Sequence, residues 1–147
     1  MIYSNMIHKY DIYYFIDNFD REEIENLDKK INIIFRNYQE SNIDLIIKKL
    51  SFFCKKKKHK LFISNNYHLA IKYNLDGLYI PSFNKLNNLK NIYFKKNFKI
   101  IGSAHNEQEI IVKKNQGCTQ IFISPIFKTD KSKNFLNIIK FNKNKFE

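Results

Sequence analysis

Three groups of residues in this chain have the types and spacing to do chemistry. Arg36 is one of only two arginines and directly follows the apolar run Ile31–Phe35. A guanidinium there offers a planar, permanently charged fork for phosphate or carboxylate oxygens; pairing with a neighbouring carboxylate is the structural alternative. His105 closes Gly102-Ser-Ala-His105, after another apolar run. Its imidazole can exchange protons near neutral pH or simply tie down a loop. Ser124-Pro-Ile-Phe-Lys-Thr-Asp-Lys-Ser-Lys133 gathers hydroxyls and ammonium groups on one stretch. Such groups make charge-assisted hydrogen bonds to phosphate, or serve as plain solvated charge. His8, His59 and His68 show no zinc-ligand spacing, and Cys54 and Cys118 suggest neither a disulfide framework nor a metal site.

The elements that must carry these groups alternate regularly. Ile12–Ile16, Ile31–Phe35, Leu61–Ile63, Gly77–Ile80, Phe98–Ile101 and Gln120–Ile123 read as six strands. Asp20 is an N-cap with an acid three residues on, opening a helix toward Lys30. Ile43, Ile46, Ile47, Leu50 and Phe53 recur at helical spacing, and a further helix runs through Leu69, Ala70 and Tyr73. Asn84–Lys96 is weakly patterned, while Asn106–Asn115 reads as a helix ending at Gly117. Six β/α units predict a parallel sheet with helical crossovers. Reactive groups in such folds sit after the strands, at their carboxyl ends.

Composition narrows the field. The 147 residues carry 26 Lys+Arg against 14 Asp+Glu, a net +12, with 44% hydrophobic residues. That suits one domain with a core and excludes a disordered basic tail. No apolar run approaches the roughly 18 residues of a membrane span. The N-terminus lacks the signature of a signal peptide, so a cytoplasmic setting is expected. The charge invites a nucleic-acid reading, but Arg is scarce, and Lys, Asn and Ile share A/T-rich codons. Nucleic acid is therefore the least favoured partner. The run Lys55–Lys60 is expected to be the solvated end of a helix, complementing its dipole.

Taken together, these segments resemble the thiamine-phosphate synthase/TenI family. Ile33-Ile-Phe-Arg-Asn-Tyr38 is similar to its second-strand motif, and Leu61-Phe-Ile-Ser-Asn-Asn-Tyr-His-Leu-Ala70 to its third-strand Asn-Asp motif. Leu75-Asp-Gly-Leu-Tyr-Ile80 resembles the Ala-Asp-Gly-Val-His-Leu block. Ile100–His105 and Ile121–Thr129 resemble the Gly-x-Ser-x-His and Gly-Pro-x-Phe-x-Thr motifs. The motifs keep the family's order across residues 12–133.

The resemblance implies a (β/α)8 barrel that joins hydroxymethylpyrimidine diphosphate to thiazole phosphate and releases pyrophosphate. Carried over by position, Arg36, Ser103 and His105 would be catalytic. Arg36, Asn65, Thr129, Lys131 and Lys133 would hold phosphate. The family's metal aspartates fall at Asn65 and Asn84 and its lysine at Tyr38, so Mg²⁺ is expected to bind weakly at most. Pro125 stands where the TenI-like branch has a histidine. A full barrel takes roughly 200 residues or more, so residues 1–147 are expected to form a single α/β domain. That domain would be a TIM-barrel-like partial barrel of six parallel strands with outer helices, lacking strands seven and eight. Its exposed edges would be covered by the Phe135–Glu147 segment or by a homodimer partner. The expected ligand is a phosphorylated small molecule, and a non-catalytic phosphate-ligand binder or interaction protein of the same fold is the rival reading.

Overall fold

The computed structural model describes residues 11–87, 89 and 92–127. Ten elements follow one another among them: β1 (Ile12–Ile16), α1 (Arg21–Glu25), β2 (Ile31–Phe35), α2 (Ile43–Lys57), β3 (Leu61–Ser64), α3 (Tyr67–Lys72), β4 (Gly77–Ile80), β5 (Lys99–Ala104), α4 (Glu107–Asn115) and β6 (Gln120–Ile123). The chain divides into two compact units, Met1–Asp76 and Gly77–Glu147. Each contains three parallel strands in chain order, so all six strands expected from the sequence are present.

In the first unit β2 pairs with β1 on one side and β3 on the other, with Phe35 opposite both Ile16 and Ile63. Ile33, Ile34 and Phe35 are all fully buried. Since successive side chains point to opposite faces of a strand, both faces of β2 are covered, the usual condition of a parallel strand. The helix α2 buries Ile47, Leu50, Phe53 and Cys54, and each such aliphatic or aromatic side chain stabilises the fold by about 1.5–3 kcal/mol.

Local polar bonds set the ends of these elements. Asp20 caps α1 through its side chain, as expected, but α1 stops at Glu25 instead of running toward Lys30. Asp28 ends it: its carboxylate accepts from the Lys30 N–H at 2.8 Å, and its carbonyl accepts from the Ile31 N–H. A short acidic side chain thereby offers the backbone a turn in place of another helical turn. The Lys55–Lys60 run is not uniformly a solvated helix end. Lys58 adopts a left-handed conformation (φ 68°) that closes α2, and His59 turns inward. The His59 ring is only 6% exposed and its Nδ1 lies 2.9 Å from the Ile31 carbonyl. Asp76 clasps the start of β3 twice, with its carboxylate on the Leu61 N–H and its own N–H on the Leu61 carbonyl.

In the second unit β5 lies between β4 and β6. It runs three residues beyond the expected end at Ile101, because Ser103 and Ala104 continue the ladder opposite Phe122 and Ile123. Gly102-Ser103-Ala104 is therefore strand, not loop. Residues 84–96 hold no helix or strand among the described positions. Asn106 caps α4 by accepting from the Glu109 N–H at 2.9 Å, and Glu109 accepts in turn from the His105 N–H at 2.8 Å. Gly117, at φ 84°, follows the helix end in a conformation that favours glycine. No helix among the described residues is long and apolar enough to cross a membrane.

Candidate functional site

The polar residues of the first unit collect where β1, β2 and β3 end. The Arg36 backbone N–H donates to the Ile16 carbonyl at 2.8 Å, which continues the β1–β2 ladder one step past β2. Its guanidinium lies over the Phe15 ring, 4.8 Å from the centroid. Among the described residues Arg36 forms no ion pair. A guanidinium stacked in this way still has its in-plane N–H donors for bidentate pairing with an anion. Next to it the Asn37 side-chain amide donates to the Asp17 carbonyl at 2.9 Å. Tyr38 and Ser64 bring their hydroxyls to 2.8 Å from each other and so bridge the ends of β2 and β3. Asn65 follows at φ 61°, a left-handed position that asparagine tolerates.

The Tyr38–Ser64 bridge was not read from the sequence. Ser64 reads as a polar residue at the end of the third strand, and Tyr38 only as a departure from the family pattern. The signal was available, since each lies just past or at the end of one of two adjacent parallel strands.

In the second unit Ser103 is a half-buried β5 residue and His105 is exposed just past the strand. The His105 Nδ1 is hydrogen-bonded to the Ser124 carbonyl, which joins the ends of β5 and β6. A carbonyl accepts only, so Nδ1 carries the proton and Nε2 is the nitrogen available to other chemistry. Asn84 has a different role from a ligand-facing side chain. Its Oδ1 accepts from the Leu86 N–H at 2.9 Å, and its carbonyl accepts from Lys113 of α4 and from Gln116, which caps that helix. Sequence reasoning did not single out Lys113 or Gln116. Lys113 looks like its exposed neighbour Lys114, yet it is completely buried. The expected phosphate contacts Thr129, Lys131 and Lys133 lie outside the described residues.

A family model described as thiamine monophosphate synthase matches residues 24–143, from within α1 to beyond β6. The chain belongs to the thiamine monophosphate synthase family. A solved structure described as a thiamine phosphate pyrophosphorylase from Pyrococcus furiosus aligns with a TM-score of 0.64 at 18% identity, covering 90% of this chain and 68% of that one. No curated protein matches the sequence. The fold is thus the TIM-barrel-like α/β fold of that enzyme, with six parallel strands in the described part.

The family resemblance implies a divalent metal at the strand ends. Mg²⁺ takes hard, preferably anionic oxygen in near-octahedral geometry. The two metal positions hold the neutral amides Asn65 and Asn84, and the Asn84 oxygen is already occupied by a backbone N–H. No group of three or more His, Cys, Asp or Glu suited to a metal occurs among the described residues. Among the described residues the donor set at these two positions does not fit a tightly held Mg²⁺.

Proposed function

We propose that this member of the family joins hydroxymethylpyrimidine diphosphate to thiazole phosphate. The thiazole nitrogen attacks the methylene carbon of the pyrimidine, the carbon–oxygen bond to the diphosphate breaks, and pyrophosphate leaves with the electron pair. The single observation that supports this reading is the family match over residues 24–143, which spans the strand ends described above. Arg36 is assigned to the diphosphate, because stacking on Phe15 restricts the guanidinium plane while keeping a two-pronged donor. By the family pattern alone, Thr129, Lys131 and Lys133 are assigned to phosphate, and so is Asn65 as a neutral contact. Ser103 and His105 are assigned to the reacting groups, His105 through Nε2, since Nδ1 is held by Ser124. The work is assigned to the cytoplasm and to phosphorylated small molecules, and a second copy of the chain is the protein partner that fits a partial barrel.

The amides at Asn65 and Asn84 favour a second reading, a protein that keeps the fold and binds a phosphorylated ligand without turning it over. A coupled synthesis assay with both precursors and Mg²⁺ separates the two. Appearance of thiamine phosphate above the no-protein rate supports the enzyme; its absence, with pyrophosphate still bound, supports the binder. Pyrophosphate titration tests the site under either reading. Arg36→Ala should weaken binding more than Lys131→Ala, because one bidentate charged pair outweighs one lysine. Equal binding by parent, Arg36→Ala and Lys131→Ala refutes the assigned site.

A further inference from the structure

The least ordinary group in the second unit is the ammonium of Lys113. Lysine is almost never fully buried unless paired, yet the Lys113 side chain has no solvent exposure and forms no ion pair among the described residues. Its three N–H donors are met instead by three neutral oxygens: Pro81 O at 2.7 Å, Gln116 Oε1 at 2.9 Å and Asn84 O. An ammonium has three donors and no acceptor, so the group is saturated. Gln116, itself buried, adds a second layer: its amide donates to Asn84 O at 3.0 Å and to Leu86 O at 2.8 Å. The loop closes on itself through Asn84 N–H to Pro81 O and Leu86 N–H to Asn84 Oδ1.

Apart from the Lys113–Gln116 bond, each of these bonds ends on residues 81–86, the loop that leaves the carboxyl end of β4. The space for the lysine stem is provided by Gly102 on β5, where a Cβ would come within 2.9 Å of Lys113 Cδ. A carbonyl cage around a buried positive charge is the ligand set of a bound monovalent cation, and here the cation is covalently attached to α4.

We propose that Lys113 is a positioning residue, an internal cation that fixes the loop 81–86 and with it Asn84 at the end of β4. Its consequence for ligand binding rests on the functional reading above, in which strand ends receive the phosphorylated substrate. Burial pushes the Lys113 ammonium below the ordinary lysine range, opposed by Cys118 and Glu109 and reinforced by Lys85. The three oxygens around Nζ match the three N–H donors of an ammonium.

The test uses the full chain and two variants, with backbone amide spectra of residues 82–86 and pyrophosphate titration as readouts. Lys113→Ala is expected to move the Asn84–Leu86 amide signals and to weaken pyrophosphate binding about tenfold. Methylammonium at about 0.1 M should restore both by filling the vacated cage. Tetramethylammonium at the same ionic strength, which has no N–H donor, should restore neither. Lys113→Met keeps the stem volume beside Gly102 and removes only the charge and its donors, so it decides the matter if the alanine variant does not fold. Loop signals and affinity unchanged in Lys113→Met overturn the proposal, as does a Lys113→Ala chain that both amines rescue equally. If the parent binds no pyrophosphate, the functional reading fails alone, because the loop signals and their rescue still judge the positioning role.

Discussion

Gly102→Ala is the perturbation whose cost follows most directly from the structure. A Cβ at this position would sit 2.9 Å from Cys118 Sγ, 2.9 Å from Lys113 Cδ and 3.1 Å from Lys113 Cγ. Contacts under 3.0 Å force something to move. The Lys113 stem is a poor candidate, because its far end is held by three hydrogen bonds. The β5 backbone is paired on both sides, opposite Ile80 and Ile121. Overpacking a tight interior costs about 1–3 kcal/mol. Replacing glycine recovers about 0.5–1 kcal/mol of backbone entropy within a regular element. The net effect is a loss of about 1–2 kcal/mol, or roughly 3–6 °C in Tm for a chain of this size. Urea unfolding followed by circular dichroism reads it as a lower midpoint with an unchanged slope. Combining Gly102→Ala with Cys118→Ala relieves one of the two closest contacts, so the double variant should lose less than the sum of the singles by about 1 kcal/mol. A Gly102→Ala chain as stable as the parent would refute the packing argument and show that the Lys113 stem yields freely.

Three further outcomes follow from other parts of the molecule. Calorimetry should find only weak Mg²⁺ binding to the ligand-free chain, strengthened by Asn65→Asp together with Asn84→Asp; tight binding by the parent would contradict the donor-set argument. Lys72 and Tyr73 hold the Asp44 carboxyl below the usual carboxylate range through hydrogen bonds at 2.6 and 2.9 Å. Its folded pKa is depressed, so this stabilisation is present above the unfolded value and is lost as pH falls through the folded one. Parent and Asp44→Asn melting temperatures should therefore differ at pH 7, begin to approach each other below pH ~4 and converge only once pH has fallen through the depressed folded value; curves that stay parallel sink the assignment. Burial pushes the Cys54 thiol up to about 12 and the Cys118 thiol up to about 11. Both should react slowly with a thiol reagent at pH ~8 until urea unfolds the chain, and rapid labelling of either in the native protein would count against it.

Much of the scaffold was legible in the chain because its signals are local. Apolar runs such as Ile31–Phe35 mark parallel strands buried on both faces, and the 3.6-residue recurrence of Ile43, Ile47, Leu50 and Phe53 marks α2. The cap at Asp20 depends only on the next three residues and occurs as expected, and Asn106 caps α4 by the same local geometry. Strand-end positions of Arg36 and His105 followed from the same alternation.

Where an outcome depended on a partner distant in sequence, the tertiary structure decided it. The end of β5 moved to Ala104 because β6 continued the ladder, something no window around Ile101 contains. Tyr38 and Ser64, 26 residues apart, became a bridge only when parallel pairing brought two strand ends side by side. His59 left the lysine run for the interior because the Ile31 carbonyl, 28 residues earlier, was there to meet its ring. Lys113 and Lys114 are adjacent and chemically identical, yet one is buried and the other exposed. The difference lies in the gap above Gly102 and in two carbonyls about thirty residues away, at Pro81 and Asn84. Burial of a charge is tolerated only where its donors are all met, and that condition is set by the folded chain rather than by any local pattern.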